Sequence, residues 1–232
     1  MNVLSVDTST NTLHLGLRSE RGFEERMLEL PMQHSQRLLA EIKELCARQE
    51  ISLPELDLLV CTRGPGAFTS LRIGMACLKG IATATGKPLV SVPTLKALAL
   101  SSGANRGAIL SCIDARKKRY YLGLYDCEGN ALMDDIDGNA ENLVEVLSGY
   151  DLIHLTGPDA AAFANKLRPL LGERQELTVD RIGTRPLGLL LVDMGIEQFR
   201  EHGADDIGQG PVYIRRSDAE EALLERLKEE TR

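Results

Sequence analysis

The chain has 232 residues, 43% apolar and 26% charged, which is enough to bury a core as one large domain or two small ones. Lys+Arg 27 against Asp+Glu 34 leaves a net charge of −7, so the chain is a poor candidate for gripping nucleic acid unaided, because phosphate contacts need concentrated positive charge. No apolar run spans a bilayer, and the run around Leu187–Val192 is cut by Asp193.

In chain order, Val3–Gly22 alternates apolar and polar residues and reads as a strand, a turn at Asp7-Thr8-Ser9-Thr10, a second strand and a glycine turn. Ser35–Gln49 carries Leu38, Leu39, Ile42 and Leu45 at helical spacing. Asp57–Phe68 predicts a buried strand running into the rigid turn Gly64-Pro65-Gly66 and then a helix, followed by a short strand at Leu89–Val92. The small-residue cluster Ser101–Gly107 suggests a boundary, so 1–103 and 104–232 are the expected lobes. Leu110–Gly129 then repeats Val3–Gly22 at an offset of 107 without a gap, placing Asp7 on Asp114 and Leu15-Gly16-Leu17 on Leu122-Gly123-Leu124. A helix at Glu141–Leu147, a strand, Gly-Pro turn and helix over Asp151–Phe163, and a strand at Leu177–Val179 complete the second copy. Asp218–Thr231 reads as a terminal helix that could pack back on the first lobe. Hairpin, helix, strand, helix, strand, given twice, predicts an α/β protein with mixed sheets flanked by helices. That is the duplicated two-lobe, actin-like (ASKHA, ribonuclease H-like) fold.

In that fold the turn Asp7-Thr8-Ser9-Thr10 usually meets phosphates, with backbone N–H groups and hydroxyls cradling the anion and Asp7 holding Mg²⁺ through water. Asp, Thr and Ser are equally good turn formers with no ligand at all. At Asp114-Ala115-Arg116 the hydroxyls are gone, no Gly-Gly pair exists, and no G-x-x-x-x-G-K-[ST] occurs, which weakens an ATP reading and leaves the turn a degenerate phosphate loop. The basic run Arg116-Lys117-Lys118-Arg119 could touch RNA phosphate, although four charges at a hairpin tip are more often simply solvated. Histidines 14, 34, 154 and 202 are scattered with no H-x-x-x-H, so no metal is expected. Cysteines 46, 61, 77, 112 and 127 form no C-x-x-C and suggest buried, reduced thiols in a cytoplasmic protein. No cysteine motif or G-x-S-x-G elbow marks a nucleophile, so a peptidase has little support.

The helix after Gly64-Pro65-Gly66 contains Gly74, Ala76, Gly80, Ala82 and Ala84. Glycine costs about 1 kcal/mol relative to alanine inside a helix, so two of them imply a compensating close approach, either to the protein's own sheet or to a partner. Arg72, Met75 and Lys79 share one stripe of this helix.

The stretch GPGAFTSLRIG (Gly64–Gly74), together with VDTST, HSQRLL, KPLVSVPTLKALA, DARKKRYYLGLY and PVYIRRSDAE in this order, resembles the bacterial TsaB (YeaZ) family of tRNA threonylcarbamoyladenosine biosynthesis proteins. Ala67 and Ser70 replace a serine and a glycine of the family pattern. The resemblance implies an actin-like relative of the transferase TsaD that lacks its metal site. His34 resembles one histidine of the enzyme's H-x-x-x-H helix, but Leu30 and Leu38 stand where the second would be. It further implies a noncatalytic subunit without a cofactor that forms homodimers, pairs with the transferase, acts with the ATPase TsaE, and meets tRNA only through the complex. The family interface lies on the first two helices, which points to His34, Leu38, Ile42 and Leu45 of the first and Arg72, Met75 and Lys79 of the second. Some of those leucines must face the protein's own core. A small kinase of the same fold is the rival expectation.

Overall fold

The computed structural model describes residues 1–180, 182 and 184–215; the helix expected over Asp218–Thr231 lies outside the described residues. The first sheet is built from β1 (Val3–Asp7), β2 (Thr12–Ser19), β3 (Gly22–Glu29), β4 (Leu58–Thr62) and β5 (Leu89–Val92), in the order β3-β2-β1-β4-β5. The second holds β6 (Ala108–Arg116), β7 (Arg119–Tyr125), β8 (Ile136–Gly138), β9 (Leu152–Thr156) and β10 (Glu176–Val179), in the order β10-β9-β6-β7-β8. Read from the same side, each sheet has the order third, second, first, fourth, fifth. The first three strands are antiparallel and the last two parallel to the first. This is the actin-like duplication.

The duplication is real, but its gapless residue match is not. Cross-strand register pairs Asp7 with His14, and the same step of the second hairpin pairs Ile113 with Tyr121. Asp114 therefore stands one residue beyond the place of Asp7. A bulge between Asp114 and Arg116 absorbs the difference.

Among the described residues, six α-helices cover the sheets: α1 (His34–Arg48), α2 (Phe68–Thr85), α3 (Thr94–Ser101), α4 (Val144–Leu147), α5 (Ala160–Leu167) and α6 (Gly188–His202). The alternation along the strands sorts three cores. Leu4, Val6, Leu59 and Cys61 point to α1 and α2, where Leu38, Ile42, Leu45 and Leu78 meet them. Val3, Leu58, Val60, Val90 and Val92 point the other way, onto Leu95 and Leu98 of α3 and Leu191 and Val192 of α6. The same middle cluster takes in Ile109, Ile113 and Tyr125 of the second sheet. The far face of that sheet packs Leu110, Leu122 and Leu124 on Leu143, Leu147, Phe163 and Leu167. The layers therefore run α1/α2, first sheet, α3/α6, second sheet, α4/α5.

The helix that returns from the second sheet to the first is α6. It crosses β2 where Gly16 meets Gly188, and a β-carbon on Gly16 would lie 2.6 Å from Ser5 Oγ and 2.7 Å from Gly188 Cα. Ser5 Oγ donates to the Gly188 carbonyl at 2.8 Å. Two turns on, Gly195 lies against the Val60 side chain. Asp193, which interrupts the apolar run, pairs with Arg18 on the exposed side at 2.7 Å. The close approach of α6 to the sheet needs glycine at both crossings. Gly16→Val is expected to lower stability by about 1–3 kcal/mol through overpacking, measured as a fall in the urea midpoint; an unchanged midpoint would mean that α6 rides more loosely than this geometry.

Candidate functional site

The turn between β1 and β2 is closed on itself. Asp7 is 1% exposed, Thr8 2% and Ser9 0%. Asp7 Oδ1 accepts from the Ser9 backbone N–H at 2.8 Å and from Thr62 Oγ1 at 2.6 Å. Thr8 Oγ1 donates to the Ser70 carbonyl in the first turn of α2 at 2.7 Å. The Ser9 carbonyl accepts from Ala67 N–H at 2.7 Å, and a β-carbon on Gly66 would sit 2.5 Å from it. Gly74 lies against Thr8, where any side chain would collide. Gly66 and the first glycine of α2 thus let this loop dock onto the helix, while Gly64 makes room for the Val212 carbonyl. The Asp7 carboxylate, the Thr8 hydroxyl and the Ser9 backbone N–H are spent within the protein. Only Thr10 is part-exposed, and its hydroxyl accepts from Thr12 N–H at 3.2 Å.

Polar side chains beneath the turn are buried with unmet hydrogen-bonding atoms. Among the described residues, Ser9 Oγ, His14 Nδ1 and both ring nitrogens of His34 have no hydrogen-bond partner. Ser9 and His14 are therefore not joined as a nucleophile and its base, and a Ser–His–Asp relay is not assembled there. His154 Nδ1 shares a 2.5 Å hydrogen bond with Thr178 Oγ1 on the second sheet. Among the described residues, no group of three or more His, Cys, Asp and Glu is placed to hold a metal ion. Burial pushes the Cys46 thiol up to about 11 and Cys61 to about 12, which leaves both protonated and unreactive at neutral pH. Among the described residues, no helix is long and apolar enough to cross a membrane.

The α1–α2 pair separates the side chains that the sequence placed on one interface. His34 (1% exposed), Leu38 (1%), Ile42 (0%), Leu45 (0%) and Met75 (5%) are buried in the lobe's own core. Period 3.6 locates a stripe but not the direction it faces, and here the apolar stripe faces the sheet. Glu41, also buried, is held by Arg26 and Arg37, each at 2.5 Å, which ties α1 to the edge strand β3.

Arg72 and Lys79 do reach the surface but are engaged by residues 205–215, which run across α2. Arg72 Nε donates to Tyr213 Oη at 2.7 Å, and its guanidinium lies 3.9 Å from the Phe68 ring, which stacks on Tyr213 at 4.6 Å. Lys79 Nζ donates to the Gln209 carbonyl. Val212 N–H donates to the Arg63 carbonyl at 2.7 Å, and Arg215 Nη1 donates to the Ala115 carbonyl at 2.9 Å, so this strap touches both lobes. Outward on α1 and α2 stand Leu39, 44% exposed, with Ala76, Gly80, Thr83 and Ala84, among polar and charged residues that include Gln36, Lys43 and Glu44. Nothing lies within 4 Å of a β-carbon placed on Gly80. The outward small residues were visible in the sequence, but their direction was not.

An open cleft of about 530 Å³ lies between the lobes, with Arg63 and Lys96 on one wall and Asp134 and Asp135 on the other. Tyr125 Oη donates to Asp135 at 2.6 Å. At the tip of the second hairpin, Arg116, Lys117 and Lys118 all have positive φ, at 66°, 53° and 62°. Each non-glycine residue in this region costs about 1–2 kcal/mol.

The family model for "TsaD: tRNA N6-adenosine threonylcarbamoyltransferase" matches residues 30–170, more than half of the chain. The chain belongs to this family, in its TsaB (YeaZ) group. The tRNA threonylcarbamoyladenosine biosynthesis protein TsaB of Bacillus subtilis is 28% identical over 98% of this chain and 100% of its own length. The Escherichia coli TsaB is 30% identical over 57% of this chain, and that match spans 58% of the relative. YeaZ from Pseudomonas aeruginosa superposes with a TM-score of 0.78 at 24% identity, covering 91% of this chain and 99% of that one, a likeness of fold.

Burial holds His34 and His14 below the ordinary histidine value of 6.5, with the Asp7 carboxylate acting in the opposite direction on both. The unfolded chain therefore binds these protons at higher pH than the folded one. Stability is full above the ordinary value and is lost as pH falls through the folded values. The urea midpoint is expected to drop between about pH 7 and about pH 5, and His34→Gln is expected to flatten that slope. A midpoint constant across this window would show that neither imidazole gains a proton on unfolding.

Proposed function

We propose that this chain is a noncatalytic, activating subunit in the formation of N6-threonylcarbamoyladenosine at position 37 of tRNA, pairing with a TsaD-type transferase and acting with a TsaE-type ATPase. The reading is carried by the closed β1–β2 turn in a chain of this family. Asp7, the Thr8 hydroxyl and the Ser9 backbone are bonded to one another, to Thr62 and to α2, so an anion or Mg²⁺ would have to displace those bonds. Buried cysteines of raised pKa support the same view. The chemistry then belongs to the partner.

The partner face in this proposal is the outward side of α1 and α2, at Leu39, Ala76, Gly80 and Thr83, rather than the buried leucines and Met75. Gly74 is explained by Thr8, but among the described residues Gly80 has no neighbour that needs its lack of a side chain. A helix–helix contact across Ala76 and Gly80 is the close approach that would offset an exposed helical glycine, and the same face would serve a homodimer of the isolated chain.

Reconstitution tests the role. With tRNA, the transferase, the ATPase, the other pathway proteins and Mg·ATP supplied, product is expected to require this chain; equal product without it would defeat the proposal. Calorimetric titration of Mg·ATP into the chain alone is expected to give no micromolar binding, and phosphoryl transfer would favour a kinase instead. Gly80→Gln is expected to keep or raise the melting temperature, because glutamine is the better helix former by somewhat under 1 kcal/mol, while weakening co-elution with the transferase. Met75→Asp is expected to fail earlier, at folding, since it places a carboxylate in the core.

A further inference from the structure

The cleft between the lobes holds charges that the protein does not pair. Arg63 and Lys96 are half-buried on one wall, and among the described residues neither side chain makes a hydrogen bond or an ion pair. Lys96 lies in the first turn of α3, which contains no acidic residue. A cation there meets the positive end of the helix dipole, so lysine is the poorer choice for the helix and strengthens the positive field at that wall. On the facing wall, Asp135 accepts from Tyr125 Oη at 2.6 Å. Burial raises the Asp135 carboxyl above its ordinary value; the Tyr125 bond lowers it, Asp134 raises it and Arg63 lowers it. Arg63 is therefore close enough to Asp135 to be felt without pairing with it. Asp134 is exposed and, among the described residues, makes no hydrogen bond or ion pair. The walls are fixed by local contacts. Val212 N–H donates to the Arg63 carbonyl at 2.7 Å, and a β-carbon on Gly64 would lie 2.8 Å from the Val212 carbonyl oxygen. Gly129, at φ 82°, packs against Lys96, whose Cε would lie 3.1 Å from a β-carbon there. Asp126 Oδ1 accepts from the backbone N–H groups of Glu128 and Asn130, each at 2.9 Å, which holds the turn after β7.

We infer that this cleft binds a small zwitterion, an α-amino acid or short peptide, with its carboxylate on Lys96 and Arg63 and its ammonium on Asp134 and Asp135. Two cations facing two carboxylates sum to no net charge. A polyanion would be repelled by one wall as it is drawn to the other, whereas a ligand with one charge of each sign is attracted by both. Neither Asp7–Thr10 nor the β6–β7 turn lines this space, so it is distinct from the places where the fold would hold phosphates. Pro93, Met133 and Val212 add apolar surface for a side chain. At about 530 Å³ the cleft is in the range of small-molecule sites, with room for more than one residue. Because its walls are held before a ligand arrives, little ordering is needed on binding.

The isotope-labelled full chain, titrated separately with the common free amino acids and with a set of dipeptides, tests this. At least one compound is expected to give saturable amide shifts clustered at 63–65, 93–96 and 125–135, and the relative affinity of free amino acid and dipeptide tells the two sources apart. The same compound with its amine acetylated, or with its carboxyl amidated, should bind at least about tenfold more weakly, because each form loses a charged hydrogen bond. Lys96→Met keeps the stem that packs on Gly129, and Asp134→Asn keeps the shape of the side chain. Each should weaken binding by a similar factor and leave the melting temperature unchanged. Absence of shifts with every zwitterion, shifts centred elsewhere, equal binding of the acetylated or amidated form, or equal binding by both variants would overturn the inference. Shifts at these residues with inorganic phosphate or adenosine monophosphate but with no amino acid or dipeptide would also overturn it, by making the cleft an anion site. The titration uses the chain alone, so its result is read separately from that of the reconstitution.

Discussion

The carboxylate of Asp7 organises the top of the first lobe. By accepting from Ser9 N–H and Thr62 Oγ1, it bends the β1–β2 turn inward and joins the ends of β1 and β4. With the turn in that position, Thr8 reaches Ser70 and the Ser9 carbonyl reaches Ala67. Those two bonds set the start of α2, and the glycines at 66 and 74 allow the approach. A phosphate-binding loop needs the same donors turned outward and unpaired. Here these groups form a structural joint between β1, β4 and α2.

The joint also explains the arrangement of α1 and α2. Their apolar stripes are committed to the first sheet, Glu41 is committed to Arg26 and Arg37, and Arg72 and Lys79 are committed to the strap at 205–215. What is left outward joins small residues and Leu39 to the polar and charged Gln36, Lys43 and Glu44, and it holds no deep hydrophobic anchor.

Much of this fold could be read from the residues. The repeated hairpin, the helix at Ser35–Gln49, the buried strand before Gly64-Pro65-Gly66 and the small-residue helix all appear within a residue or two of their expected limits. The third strand of each sheet did not show. β3, Gly-Phe-Glu-Glu-Arg-Met-Leu-Glu, lies at an edge with its polar residues in water, so it lacks the apolar alternation that reveals a strand. β8 has only three residues. α6 was hidden because its glycines and Asp193 break the apolar pattern, and those same residues let it cross β2 and pair with Arg18. The site was legible as a set of residues but not as a geometry. Nothing in Asp7-Thr8-Ser9-Thr10 shows whether its hydroxyls face a ligand or a helix, and periodicity alone could not say that Met75 points inward.

The middle layer has a mechanical meaning. Two-lobed proteins that close on a ligand need a thin joint between the lobes. Here α3 and α6 fill that space, and Val92, Leu98, Ile109, Ile113 and Leu191 form one core shared by both sheets. Prising the lobes apart would expose these side chains to water, at roughly 1.5–3 kcal/mol for each. The strap, tied to Arg63 at one end and to Ala115 at the other, resists the same motion. The molecule is thus a wedge and not a jaw: the outward side of α1 and α2 and the β6–β7 hairpin on the second sheet stand at a set separation, as two marks on a single ruler.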